Sequence, residues 1–206
     1  YYQPCATYQN DLDVLTFEID HAKSDELVSN VQGMLDRKEV LGENVLQDMV
    51  VHLGDSRGMS RLSIVEAFGR VGSPALSVLL VGLKTCPNPV VRRSCGKALA
   101  KIGDASATDC LIETLLTDVD TVTRASAAGA LAKMGSAAVP KLLEVISSPD
   151  SNMTAQGHAA WAISFMQGTA SEALFERARD PSVDVRLAVV SALGSVAIGD
   201  ALPVMS

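Results

Sequence analysis

Apolar and small residues fall at helical spacing in the stretch PNPVVRRSCGKALAKIG, residues 87–103, with Pro and Asn in front and Gly behind. That pattern predicts one short amphipathic helix opened by turn chemistry and closed by a glycine C-cap. A second apolar stripe follows after a short turn in ASATDCLIETLL, residues 105–116. SAAVPKLLEVI and TASEALFERA repeat it, with a Leu-(Leu/Ile/Phe)-Glu step in register. A pair of short helices with one apolar face cannot bury that face alone, so neighbouring pairs must stack.

The unit recurs. An Arg is followed after seven residues by Leu or Phe and after four more by Gly: Arg61, Phe68 and Gly72; Arg92, Leu99 and Gly103; Arg124, Leu131 and Gly135. A fourth copy reads Thr154, Trp161 and Phe165, and a fifth Arg186, Leu193 and Ala197. The intervals are 31, 32, 30 and 32 residues, which predicts an all-α, right-handed α-α superhelix. About five repeats occupy residues 55–206, the last incomplete where GDALPVMS starts a partner helix that stops early. Residues 24–54 are expected to be an irregular cap repeat, with Ser24 in a capping-box-like position and GENVLQDMVVHLG as its second helix. Residues 1–23 are an arm with a short helix near DVLTFEI, so the repeat domain is residues 24–206.

Composition narrows the function. Helix-favouring Ala is plentiful and aromatics are 4% of the chain, which disfavours a β-sandwich. A net charge of −7 with no Lys/Arg run argues against a nucleic-acid partner, including a base-excision role on DNA. No apolar run approaches the roughly 20 residues that span a bilayer. The four cysteines, Cys5, Cys86, Cys95 and Cys110, form no C-x-x-C pair and have no His at ligand spacing, so no metal is expected and they read as reduced intracellular thiols. The opening YYQPCATYQN has no initiator Met, basic region or apolar core, as if any targeting segment had been removed.

No Ser-His-Asp set, phosphate loop or paired catalytic carboxylates can be recognised. The recurring arginines read as braces that donate to carbonyls and Asp side chains of inter-repeat turns. Thr154 interrupts that ladder. Glu113, Glu144 and Glu176 fall in register on the second helices, where they either line the inner, concave surface or form a solvated face. In MTAQGHAAWAISFM, Trp161 takes the Leu core position, and His158 aligns with Gly96 and Ala128, where it either crowds the packing or is exposed for use.

The units VRRSCGKALAKIGD and DTVTRASAAGALAKMGSAAVPKLLEVISSP, with GHAAWAISFM, resemble the short HEAT-like repeats of E/F-type phycobilin lyases and the related phycobilisome-degradation proteins, over roughly residues 55–200. That resemblance implies a role in attaching, detaching or chaperoning open-chain tetrapyrroles on phycobiliprotein cysteines. It implies no tightly bound cofactor, a bilin as substrate, a phycobiliprotein as partner and a second HEAT-repeat subunit. The location implied is a plastid stroma or cyanobacterial cytoplasm, with thylakoid association. One branch isomerises the bilin through Asn-His-Cys-Gln-Gly-Asn; residues 153–158 keep only Gln156 and Gly157 of it, which argues against isomerase chemistry. The candidate bilin- or partner-binding residues are His158, Gln156, Glu113, Glu144, Glu176 and Lys141. Anionic bilin propionates would be poorly received by the three glutamates unless Arg92, Arg124 or Lys141 intervened, which favours protein binding on that face. A non-enzymatic HEAT-repeat adaptor is the alternative.

Overall fold

The computed structural model describes residues 19–166, 171–190 and 193. These form helices and turns with no strand among them. In order they are α1 (His21–Asp36), α2 (Glu43–His52), α3 (Gly58–Val71), α4 (Leu76–Thr85), α5 (Pro89–Ile102), α6 (Thr108–Thr117), α7 (Thr121–Lys133), α8 (Val139–Ser147), α9 (Met153–Phe165) and α10 (Ser171–Arg177). Residues 183–190 are a further helix, α11. The pairs α3/α4, α5/α6, α7/α8 and α9/α10 are successive repeats, α1/α2 is the cap, and α11 opens a fifth repeat. The expected GDALPVMS helix and the DVLTFEI segment before Ile19 lie outside the described residues.

Helices α5, α7 and α9 are started, and α3, α5 and α7 stopped, by chemistry their sequences carry. Asn88, Asp120 and Asn152 are N-caps whose side-chain oxygens accept from Val90, Thr123 and Ala155 N–H. Gly72, Gly103 and Gly135 have φ of 74°, 68° and 61°, which lets the chain leave the helix and enter a 3₁₀ turn leading to the second helix. The core runs continuously between the two rows, from Leu46 and Met49 through Phe68, Leu79, Leu99, Leu111, Leu131, Leu142 and Ile163.

Two details depart from the sequence reading. Helix α1 starts at His21 with Asp20 as its N-cap, not at Ser24. Ser24 is instead buried, 2.8 Å from His52 Nδ1, and links the two cap helices. More consequential is the register of the fourth repeat. The loop from Ser148 to Asn152 is two residues longer than those from Cys86 to Asn88 and from Asp118 to Asp120. Counted from the N-caps, the place of Arg92 and Arg124 therefore belongs to Gln156, not Thr154. The core place of Leu99 and Leu131 belongs to Ile163. Trp161 is 43% exposed, so its expected core position is corrected. His158 stands where Ser94 and Ser126 stand, not at Gly96 and Ala128.

The two rows of helices pack unequally. Consecutive first helices, α3 on α5, α5 on α7 and α7 on α9, lie closely against one another, whereas the second helices touch their counterparts sparsely. Small residues permit this: a Cβ on Gly96 would sit 3.4 Å from Ser126 Cβ, and one on Gly69 would sit 3.3 Å from Lys101 Cβ. An array curves toward its more tightly packed row, so the first helices form the inner face. Of the two readings of the second-helix glutamates, concave lining or solvated face, this arrangement favours the solvated face.

Candidate functional site

The arginines hold the turns between repeats. Arg61 and Arg124 donate to the carbonyls of Asp55 and Asp118, the latter at 2.8 Å, and Arg186 donates to Asp180 and Pro181 O. Arg92 does more: Nη1 donates to Cys86 and Pro87 O while Nε and Nη2 grip the Asp118 carboxylate at 2.8 and 2.9 Å, so one guanidinium ties two successive turns. Beside it Arg93 makes a two-pronged pair with the N-cap Asp120 at 2.7 Å. Arg93 holds the Asp120 carboxyl well below the usual range, as Arg57 does for Asp55 at the cap junction. Gln156 serves the same junction in the fourth repeat, its amide N–H groups donating to Ile146 and Ser148 O at 3.3 Å. It is a brace in the arginine's place, occupied by backbone.

The remaining expected residues do not converge. Glu113 and Glu144 are exposed on the outer row, and Glu176 is exposed on α10. Glu113 pairs with Lys84 of the preceding second helix at 2.5 Å, and Lys141 pairs with Asp109. Around Lys84, Glu113 and Asp118 lies an open cleft of about 280 Å³ that Arg92 and Cys86 also line. His158 is partly buried, and its Nδ1 is buried without a hydrogen-bond partner. Cys95 and Cys110 are buried, and burial pushes both thiols up, away from nucleophile chemistry. No group of three or more potential metal ligands exists among the described residues. No single described helix is long and apolar enough to cross a membrane.

The inner face carries what the sequence reading missed. Nine residues after each N-cap stand Glu66, Lys97, Gly129 and Trp161; thirteen after stand Arg70, Lys101, Lys133 and Phe165. All but Gly129 are exposed. Glu66 pairs with Lys101 at 2.7 Å, and Arg70 pairs with Asp36 across to α1. Lys97 and Lys133 have no carboxylate partner among the described residues. Trp161 and Phe165, one turn apart, lie in contact with ring centroids 4.6 Å apart and planes tilted by 32°, and 61% of Phe165 is exposed. The inner face is thus cationic and ends in an aromatic pair, whereas the outer face carries the acidic row. Counting from the N-caps would have exposed this pattern; counting from the apolar ladder hid it.

A family model for HEAT repeats matches residues 46–132 and 115–194. A bilin biosynthesis protein, MpeU, of Synechococcus sp. (strain WH8020) is 32% identical over 101 residues, 48% of this chain and 33% of its own length. An uncharacterized phycocyanin operon protein Z of Pseudanabaena tenuis (strain PCC 7409) is 29% identical over 80 residues, 39% of each chain. The chain thus spans only a third to two fifths of these curated relatives. Among solved structures, a chain of the complex of CpcE and CpcF of phycocyanin lyase from Nostoc sp. PCC7120 superposes with a TM-score of 0.51 at 20% identity, over 74% of this chain and 99% of its own. The fold is shared.

Proposed function

This chain belongs to the HEAT-repeat family, and from that premise we propose that it assists the attachment or detachment of bilin chromophores on phycobiliproteins. The observation that carries the reading is the inner face. It offers cations and aromatic rings, chemistry that suits an anionic, conjugated bilin. The names of the two curated relatives point the same way. Burial disfavours the thiolates of Cys95 and Cys110, and in this reading the cysteine that carries a bilin belongs to the phycobiliprotein. The chain's part is to hold and orient, as a lyase subunit or chaperone, with a bilin as substrate rather than resident cofactor. The partners are a phycobiliprotein on the inner face and a second HEAT-repeat subunit. The solved structure that shares the fold is a complex of CpcE and CpcF of phycocyanin lyase. The setting is a cyanobacterial cytoplasm or plastid stroma, thylakoid-associated, and both curated relatives are cyanobacterial.

The test mixes the protein with phycocyanobilin or phycoerythrobilin and an apo-phycobiliprotein. Covalent chromophore on the denatured phycobiliprotein is then followed against a reaction lacking the chain and one supplied with the second subunit. A change in the rate of attachment or loss is expected. No change in any combination would remove the bilin role and leave a HEAT-repeat adaptor that binds protein alone.

A further inference from the structure

Exposed aromatic rings on an α-helical repeat are unusual where the equivalent places of neighbouring repeats hold Lys97, Gly129, Lys101 and Lys133. Trp161 and Phe165 present a continuous aromatic surface to solvent on α9. Next to them α7 is low: a Cβ on Gly129 would meet nothing within 4 Å, so the floor beside the rings is open. Lys133 rises one turn further along the same helix, level with Phe165, and Lys97 stands level with Trp161 on the far side of that floor. Neighbouring helices lie about 8–10 Å apart, so Lys133 is about one helix spacing and Lys97 about two from the rings. Neither lysine is neutralised by a carboxylate among the described residues, unlike Lys101 and Lys141.

We propose that this part of the inner face is a binding site for a flat conjugated molecule bearing two carboxylates, with Trp161 and Phe165 as the stacking platform and Lys97 and Lys133 as the carboxylate anchors. The chemistry of each part fits. A ring face recognises a conjugated plane by stacking, with little demand on sequence of contacts. Two separated ammonium groups select a diacid of matching span over a neutral molecule of the same shape. A small-residue floor lets the plane approach the helix. The proposal rests on the bilin reading for the identity of the diacid, but it assigns a face and residues that the reading leaves open.

Trp161 is the single tryptophan of the chain, which makes it its own reporter. The full chain is titrated with biliverdin, an open-chain tetrapyrrole diacid, and separately with its dimethyl ester, following tryptophan emission and the bilin absorption band. Biliverdin is expected to quench Trp161 saturably, and the ester to bind about tenfold more weakly because exposed ion pairs contribute modestly each. The paired change Lys97→Glu with Lys133→Glu should weaken biliverdin to the level of the ester or below. Phe165→Ala should weaken both ligands alike. Lys84→Ala on the outer row should leave binding unchanged, and circular dichroism checks the helix content of each variant. Equal binding of acid and ester, or full affinity in the double glutamate variant, overturns the proposal. A bilin band shift without quenching of Trp161 also overturns it while leaving the proposed function standing. An absence of any biliverdin binding by a chain that still alters chromophore attachment overturns it too.

Discussion

Arg92→Ala should be the most damaging single change on the inner row. The side chain is 10% exposed and its partner Asp118 is 8% exposed, and the guanidinium makes four hydrogen bonds of 2.8 to 3.0 Å. Removing it leaves a buried carboxylate without its counter-charge and two turn carbonyls without a donor. Breaking one side of such a pair costs about 3–5 kcal/mol, mostly from the charge left unpaired. Arg124→Ala is the internal standard. That residue gives a single bond to Asp118 O, and its loss should cost about 1.5 kcal/mol, the lower end for a charged donor. Equilibrium unfolding in guanidinium chloride, followed by helix circular dichroism, measures both, with the m-value checked because repeat arrays can lose cooperativity. The origin of the loss is tested by the apolar pair Arg92→Met with Asp118→Leu. If the unpaired charge dominates, the double variant should be clearly more stable than Arg92→Ala, since a buried ion pair and a well-packed apolar pair are often near-equivalent. An Arg92→Ala loss no larger than that of Arg124→Ala, or a double variant that loses the sum of its two single losses, would show that the unpaired charge does not dominate.

The corrected register makes a sharper test of the fourth repeat: Gln156→Ala should cost about 1 kcal/mol in the same unfolding assay, whereas Thr154→Arg, which adds an arginine at an exposed place, should gain nothing. Acid should loosen the repeat junctions. Asp55 and Asp120 titrate lower in the folded chain than in the unfolded one, so their contribution is complete above the unfolded carboxylate range near pH 4 and is lost as pH falls toward the folded values. Unfolding measured between pH 2 and 6 should show that decline, and Arg93→Ala should make it shallower. Cys95 should resist an aromatic disulfide reagent at pH 8 in the native chain and react promptly once unfolded, because it is fully buried and its thiolate is disfavoured; rapid native modification would mean that α5 opens readily.

Fold and repeat count were legible because the features that specify them are local. Asn88 or Asp120 in front, an apolar ladder, and a glycine that accepts positive φ each act within one helix, and each leaves a mark in sequence. The arginine braces were legible for the same reason, since their carbonyl partners lie five or six residues away. The Asp side chain that Arg92 grips was expected in an inter-repeat turn, and Asp118 stands in one, 26 residues on. Pairs set by helix packing left no such mark: Lys84–Glu113 and Lys101–Glu66 depend on how successive helices are set side by side. Curvature was equally hidden. It follows from how closely whole rows approach, which Gly96, Gly69 and the alanines of α7 decide jointly, and no single residue announces which row is inside.

The fourth repeat shows why a small counting error reverses a functional reading. With 3.6 residues per turn, a two-residue slip rotates a position by about 200° around the helix axis. Aligning Thr154 with the arginines therefore carried Trp161 from the solvent side to the core and left the aromatic pair invisible as a surface feature. The apolar ladder could not reveal the slip, because α9 spreads its Ala residues and its single Met, Trp, Ile and Phe around the helix and its faces differ little in hydrophobicity. The N-cap could. Asn152 must place its side-chain oxygen on a backbone N–H within the first turn, a geometric requirement that tolerates no slip, and every later position on the helix is fixed by it. In a solenoid whose loops vary by one or two residues, caps rather than core positions are the reliable origin for numbering. On that numbering the cationic and aromatic residues of successive first helices fall into two adjacent rows on one face.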